Sequence, residues 1–344
     1  MDKSPNEIQK GIWIASYPKS GNTWVRVFIG NILRELRGNA AGPQDINILN
    51  RNSTWEIDAE PYQQLLGKPL NQCNVEEIAR IRPQVQCLLS QARSRPFFIK
   101  THLSVARFEG FPTINFEMTL AAIYIVRNPL DVAISYAHHA SREIDHIIDQ
   151  MADPVLRSSG SERHVYEFMG SWSFHVASWL SVSHRPVYVM RYEDMLASPY
   201  KAFGGLARFL RLAPTPDQLK RAIENSSFVQ LSKQESERGF REKPEVAEKF
   251  FRAGRANQWR EVLTKEQVTR VVRAHAPIMQ RGGYLLPNCG ADILVRPRPK
   301  RLASPSVAAV EGQDRLAAPE RSANTISPDS SVVTPPEQPR STAH

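Results

Sequence analysis

The chain has 344 residues, 41% of them hydrophobic, enough for one large α/β domain or two modest ones with a sizeable core. Its three cysteines, Cys73, Cys87 and Cys289, form no C-x-x-C pair and argue against a disulfide framework or a zinc site; the absence of a secretory h-region and of any long apolar run argues against a membrane span, so a reducing cytoplasm is the expected location. A formal charge of +9 and a pI near 9.6 favour an anionic partner (nucleic acid, a phosphate-bearing ligand or acidic lipid), unless the charge is only a solvated basic surface.

The first predicted element is the apolar strand IWIAS (12–16), followed by a polar turn and an amphipathic helix over Val25–Leu36. The turn carries P-K-S-G-N-T with one glycine, where the usual nucleotide-phosphate loop, G-x-x-x-x-G-K-[ST], has two. Ser20, Gly21, Asn22 and Thr23 stand where the helix begins, and free N–H groups there, with the positive end of the helix dipole, hold an anion. Gly21 allows close backbone approach and Lys19 adds a mobile cation. The competing reading is an ordinary cap, with Ser20 or Asn22 satisfying the helix and nothing bound.

The second strand is PFFIK (96–100), and Lys100-Thr101-His102 leave its carboxyl end, where α/β folds bind ligands. A lysine and a histidine two apart at such an exit supply an electrostatic clamp and a general base, or else a solvated lysine and a packed histidine. The third strand, AAIYIV (121–126), turns through Arg127-Asn128-Pro129 into a helix over Asp131–Ile148. Arg127 at that exit suits forked hydrogen bonding to a phosphate, with Ser135 one turn into the helix; the alternative is a salt bridge and a cap. On the same helix His138, His139, Glu143 and His146 include the E-x-x-H metal spacing but lack partner ligands, so they read as pocket wall or surface.

A helix over Tyr166–Val182 follows, with Phe168, Trp172, His175 and Trp179 at core spacing. After it come the strand PVYVM (186–190), helices over Tyr200–Leu210 and Pro216–Glu224, and a last helix over Lys265–Gln280. Ser232–Gly254, dense in Lys, Arg and Glu with Gly239 and Pro244 as breakers, reads as a mobile surface excursion and a candidate lid. Strands alternating with helices predict an α/β fold, a central parallel sheet flanked by helices. Residues 291–344 hold eight of the 25 prolines and no aromatic residue, too little apolar surface to order, so a domain over 1–288 and a disordered tail over 289–344 are expected.

YPKSGNTW, KTH after a strand, and YIVRNPLDVAISY resemble, in that order, the signature segments of soluble sulfotransferases that use 3′-phosphoadenosine-5′-phosphosulfate (PAPS). The likeness continues through GSWSFHVASWL (170–180), RYEDM (191–195), ENSSF (224–228) and FFRAGRANQW (250–259). It implies a P-loop-like sulfotransferase fold, no metal, and in-line transfer of a sulfuryl group to a hydroxyl (less readily an amine) of a small molecule, releasing PAP. On this resemblance Lys19, Ser20, Gly21, Asn22, Thr23 and Trp24 hold the 5′-phosphosulfate. Arg127 and Ser135, helped by Arg252 and Gly254, hold the 3′-phosphate, while Tyr192, Ser226 and Phe228 lie against the adenosine and Trp24 offers a stacking face. His102 is the implied general base, with Lys19 and Lys100 stabilising charge on the transferring group, much as positioning and electrostatics dominate phosphoryl transfer. Trp172 and His175 match the family's GSW-x-x-H run and become pocket candidates.

The chain departs from the family pattern at four places. Asn22 stands where threonine is frequent and Ser104 where proline often follows KTHL. Ala253 replaces the lysine after Arg252, with Arg255 the nearest substitute cation, and Asn257-Gln258 replace Gly-Asp before Trp259. Two rivals remain open. A small-molecule or nucleoside kinase would share the loop, but the second glycine and an apolar strand ending in Asp for magnesium are missing. A nucleic-acid-binding protein would use the net charge and the RPRPKR cluster (296–301), leaving Lys100 and His102 without a role. The expected protein is a monomer or homodimer with no nucleic-acid or membrane partner.

Overall fold

The computed structural model describes residues 10–39, 42–91 and 97–285; Cys289, the RPRPKR cluster and the expected tail over 289–344 lie outside them. Seven strands occur among these residues: β1 (Gly11–Ser16), β2 (Ser53–Trp55), β3 (Phe98–Thr101), β4 (Arg107–Phe108), β5 (Phe111–Pro112), β6 (Thr119–Val126) and β7 (Val187–Arg191). The helices are α1 (Asn22–Leu36), α2 (Ala59–Leu66), α3 (Val75–Gln91), α4 (Pro129–Ala140), α5 (Ile144–Ala152) and α6 (Trp172–Leu180), then α7 (Tyr192–Ala197), α8 (Pro199–Phe209), α9 (Pro216–Asn225), α10 (Phe228–Arg238), α11 (Trp259–Val262) and α12 (Lys265–Arg281). Five strands form one sheet in the order β2-β3-β1-β6-β7, every neighbouring pair parallel, and β4 and β5 make a small antiparallel ribbon.

β1 lies at the centre and is buried on both faces, which is why its sequence is a continuous apolar run instead of an alternation. Ile12 and Ile14 pack on one face against Val25, Phe28, Ile29 and Ile32 of α1, a set at helical spacing. Trp13 and Ala15 pack on the other face with Leu130 of α4 and with Trp172 and Trp179 of α6. The register pairs Ala15 with Thr101 and Ser16 with Ile125, so β1, β3 and β6 end nearly level. The turn after each strand therefore opens on the same edge of the sheet, and this brings the loop at Lys19, His102 and Arg127 together.

Three expectations need correction. The helix expected over Asp131–Ile148 is two helices, α4 and α5, separated at Ser141, which takes a left-handed conformation (φ 49°). α5 then turns back along α12, where Asp145 pairs with Arg270 and accepts from Gln267. The helix expected from Tyr166 begins only at Trp172: Gly170 has φ 63°, and the Ser171 side chain caps the helix by accepting from Phe174 N. Residues 165–168 are extended instead, tied to Ile57 and to Ser158.

Ser232–Gly254, expected as a mobile surface excursion, is instead anchored to the core. Its first part belongs to α10, and Phe240 and Phe251 are buried with Val27, Ile46, Leu49 and Leu231. Its high charge density concealed aromatic residues spaced widely enough to anchor it. β2, α2 and α3 arise where no element was expected; β2 is only three residues long, too short to show a period, and α3 carries an internal Pro83.

A buried ion pair supports the extended arm. Arg82 Nη1 reaches both Glu56 carboxylate oxygens at 2.8 Å and Nη2 donates to Tyr166 O at 2.6 Å, with side-chain exposures of only 2% and 0% for Arg82 and Glu56. Removing one partner of such a pair strands the other charge. Arg82→Met should therefore lose about 3–5 kcal/mol in urea unfolding, and adding Glu56→Gln should recover a large part; an unchanged midpoint for the single variant would refute the pairing's weight.

Candidate active site

The loop between β1 and α1 bears on the choice between cap and anion site. No side chain caps α1. Asn22, one of the two candidate caps, points backward: its Nδ2 donates to Ile14 O at 2.8 Å and to Ser16 Oγ at 3.4 Å. Ser20, the other, is fully buried and its hydroxyl has no hydrogen-bond partner among the described residues. The first turn of α1 thus has no side-chain cap at the positive end of the helix dipole. Gly21, at φ 107°, is required twice over: few side chains adopt that angle, and a Cβ there would stand 2.9 Å from Tyr192 Cδ2.

A cavity of about 340 Å³ opens at this edge of the sheet. Its wall carries Lys19, Gly21 to Trp24, Lys100, His102, Arg127, Ser135, Tyr192, Phe228, Arg252 and Gly254, residues that come from six separated stretches of sequence. Ser20 and Ser226 are not on the wall. Ser226 is fully buried, accepting from Asn31 Nδ2 at 3.0 Å and donating to Ala222 O at 2.7 Å, so it braces α1 against α9. Trp172 and His175 are also off the wall, fully buried behind His102.

His102 is held in one tautomer. Its Nδ1 lies 2.7 Å from Ser16 O, and a carbonyl only accepts, so Nδ1 carries the proton and Nε2 keeps its lone pair. Burial, then the nearby Lys100, pushes its pKa down to about 3, so the ring is neutral at physiological pH. Its backbone is gripped from both sides. Glu167 Oε1 accepts from His102 N at 2.6 Å, while His175 Nε2 donates to His102 O at 3.1 Å and takes Tyr124 OH on Nδ1 at 2.9 Å.

Two lysines face the same space. Lys100 is 5% exposed, its Nζ 3.4 Å from the centre of the Trp55 ring and 3.1 Å from Glu242 Oε2. Burial lowers its pKa, and Glu242 opposes that shift. Lys19 lies at φ 65°, donates to His139 Nδ1 at 3.0 Å and sits 4.0 Å over the Phe250 ring. Burial first, then Arg127 and Lys100, bring the Lys19 ammonium down to about 7. Burial and Lys19 hold His139 near 3, so it serves as the neutral acceptor of that bond.

Arg127 donates to Lys19 O at 3.0 Å and to Arg255 O at 3.3 Å and stacks 4.1 Å over Tyr192, leaving its buried Nε without a partner among the described residues. The segment after Arg252 is fastened by Asp131, which accepts from Asn257 N at 2.6 Å and Trp259 N at 3.1 Å. Arg252 donates to Gln258 Oε1 at 2.6 Å. Gly254 has φ 59°, and a Cβ on it would fall 2.2 Å from Phe228 Cγ, so the ring and the loop backbone touch directly. Arg255 does not supply the cation missing at Ala253: its guanidinium is exposed and bound to Glu261 at 3.0 and 2.7 Å.

Trp55, Glu167 and Glu242 also line the cavity and were invisible in the sequence pattern. Each comes from a segment with no recognisable spacing to the motifs, so no local signal marks them. Of the histidine cluster, His139 reaches the cavity wall, His138 is exposed, and Glu143 and His146 belong to the start of α5. Among the described residues no three His, Cys, Asp or Glu side chains are placed to hold a metal ion, and no helix is long and apolar enough to cross a membrane.

A sequence profile of the Sulfotransferase domain family matches residues 9–283. Dog Sulfotransferase 1B1 is 26% identical over 269 residues, spanning 74% of this chain and 79% of its own length, and dog Sulfotransferase 1A1 is 25% identical over 275 residues, spanning 78% and 83%. The crystal structure of the mouse sulfotransferase SULT7A1 complexed with PAP superposes with a TM-score of 0.52 at 19% identity, covering 81% of this chain and 85% of that one. That last likeness is one of fold.

The Lys19 ammonium gives the site a testable pH response. Its charge is present well below pH 7 and is lost as the pH rises through about 7, whereas His102 and His139 stay neutral over that range. Stabilisation by inorganic sulfate, whose charge is constant, should fall between about pH 6 and pH 8 in thermal melts. Lys19→Met should flatten that response. An equal sulfate-induced shift at both pH values in the unmodified chain would show that Lys19 does not face the anion.

Proposed function

The chain belongs to the sulfotransferase family, and on that premise we propose that it moves the sulfuryl group of PAPS onto a hydroxyl, or less readily an amine, of a small-molecule acceptor in the cytoplasm, releasing PAP. The observation that carries this reading is the His102 ring: neutral, pinned through Nδ1 to Ser16 O, with an unprotonated Nε2 in a cavity that also holds two lysines and an uncapped helix start.

The residues present suit an adenosine carrying two anionic arms. The uncapped α1 start, Lys19 and the close backbone approach at Gly21 suit the 5′ arm. Arg127, with an unpaired buried Nε, suits the 3′-phosphate together with Ser135, Arg252 and Gly254. Tyr192, Phe228 and Trp24 offer aromatic surface for the adenine; Trp24 is itself wedged edge-on against Tyr192 and Phe203. Gln258 accepts from Arg252 and so fixes the direction of that guanidinium.

PAPS supplies, when bound, a sulfuryl group already activated by its bond to phosphate. His102 Nε2 takes the proton of the acceptor hydroxyl as its oxygen attacks. The ring's low pKa in the free protein reflects burial and the adjacent lysines, and an anion lodged between those lysines raises it toward a useful base. Lys19 and Lys100 hold the charge that builds on the sulfuryl and bridging oxygens. Glu167 and His175 keep the His102 backbone still while its ring changes charge. The kinase alternative is not favoured: no second loop glycine is present, and the acidic groups of the cavity are committed to Lys100, Arg26 and His102 N.

PAP should raise the melting temperature well above any effect of ATP, with or without magnesium. With labelled PAPS and a panel of hydroxyl acceptors, His102→Ala should reduce transfer by about 10²-fold or more while PAP affinity by calorimetry stays nearly intact. Arg127→Ala should weaken PAP by roughly 10–100-fold, the worth of a charge-assisted contact. Transfer by the His102 variant within threefold of the unmodified protein would remove it from the base role.

A further inference from the structure

Glu242 has no part in the family resemblance, yet its carboxylate sits between two cations. Arg26 Nη1, from the inner face of α1, lies 2.8 and 2.9 Å from its two oxygens, and Lys100 Nζ lies 3.1 Å from Oε2. Arg26 is 2% exposed and is fixed separately by Ser53 Oγ at 2.8 Å. The segment that carries Glu242 is anchored beside it by Phe240 and Phe251 in the core and by Glu235, which accepts from Phe250 N and Phe251 N at 2.7 and 2.8 Å.

We propose that Glu242 is a positioning residue for sulfuryl transfer: bridged between Arg26 and Lys100, it keeps the Lys100 ammonium charged and pressed on Trp55 at the cavity wall before the anionic donor arrives. This rests on the reading of the cavity as a sulfotransferase site. The groups facing Lys100 explain why such a device is needed. Trp55 offers a ring face from β2, Glu242 and Arg26 lie at its ammonium, and Glu167 approaches from the extended arm. Lys19, His102 and His139 all lie close enough to feel its charge. A lysine so buried and so near other cations tends to lose its proton. A carboxylate alone would restore the charge but repel the donor. Arg26 offsets that repulsion, so two cations and one anion leave a net positive charge of one at the wall. Lys100 and Arg26, working against burial, hold the Glu242 carboxyl down to about 2, so the bridge persists across the working pH range.

The test reads Lys100 directly. In protein labelled at lysine Cε and Nζ, with the Lys100 signal assigned by its loss in Lys100→Met, the titration midpoint should fall by about 1–3 pH units in Glu242→Gln. The Lys19 midpoint should move far less. Glu242→Asp, with its carboxylate set back by one methylene, should give a smaller fall and provides the measurement should Glu242→Gln fail to fold. With PAPS and an accepted hydroxyl compound, the part of the kcat/KM profile that follows the Lys100 signal should move down with it, while the part set by Lys19 at about 7 stays in place. A Lys100 midpoint that stays put in a folded variant overturns the role of Glu242 and leaves sulfuryl transfer intact. Failure of the unmodified protein to bind PAP or turn over PAPS overturns the sulfotransferase reading, and the positioning role with it, whatever the lysine signal does.

Discussion

Three cations, Lys19, Lys100 and Arg127, crowd the carboxyl edge of one parallel sheet, with Arg252 at the exposed rim. Their mutual repulsion is the constraint around which the rest is arranged. Lys19 is held by His139 and an aromatic face, Lys100 by Glu242 and another aromatic face, and Arg127 by two backbone carbonyls and the Tyr192 ring. Among the described residues Lys100 is the one of the three that pairs with a carboxylate, and that carboxylate is shared with Arg26. The cavity therefore keeps an unbalanced positive charge, which an anionic ligand relieves. Preorganised charge of this kind needs no reorganisation at the moment of reaction.

The base is arranged on the opposite principle. His102 is kept neutral by burial and by its cationic neighbours, and its tautomer is set by a carbonyl of the adjacent strand. A hydrogen bond between the end of β1 and the residue after β3 exists only because the two strands pair in parallel and end level. The same register that builds the core thus decides which imidazole nitrogen is available. His175, itself neutral through burial, extends the support to Tyr124 in the core.

The motif residues were legible because they sit on local structure. A strand, a turn and a helix are short-range features, and Lys19 to Trp24, His102 and Arg127 each occupy the turn after an apolar run. Their convergence followed from the rule that parallel strands share a carboxyl edge. Within ENSSF the Ser226 hydroxyl is spent within α9 and on Asn31, off the cavity wall, which the motif alone does not show. Arg255, the nearest cation to Ala253, gives its backbone carbonyl to Arg127 while its side chain turns to Glu261. Helix ends were legible only where caps were noticed, and Gly170-Ser171 and the left-handed Ser141 each broke a pattern that periodicity alone continued.

The sequence by itself determined four of the five strands of the main sheet, the turns that leave them, the polar loop at the start of α1 and the imidazole at a strand end, because these depend on apolar runs and turn chemistry within a few residues. Only the tertiary structure decided what surrounds them: Glu242 on Lys100, Glu167 beneath His102, Trp55 under the ammonium and Gln258 on Arg252. Those partners lie between 6 and 142 residues away in the chain. Charge and hydrogen-bond pairing over such separations is set by how helices and loops pack across the sheet edge, and no spacing in the sequence encodes it.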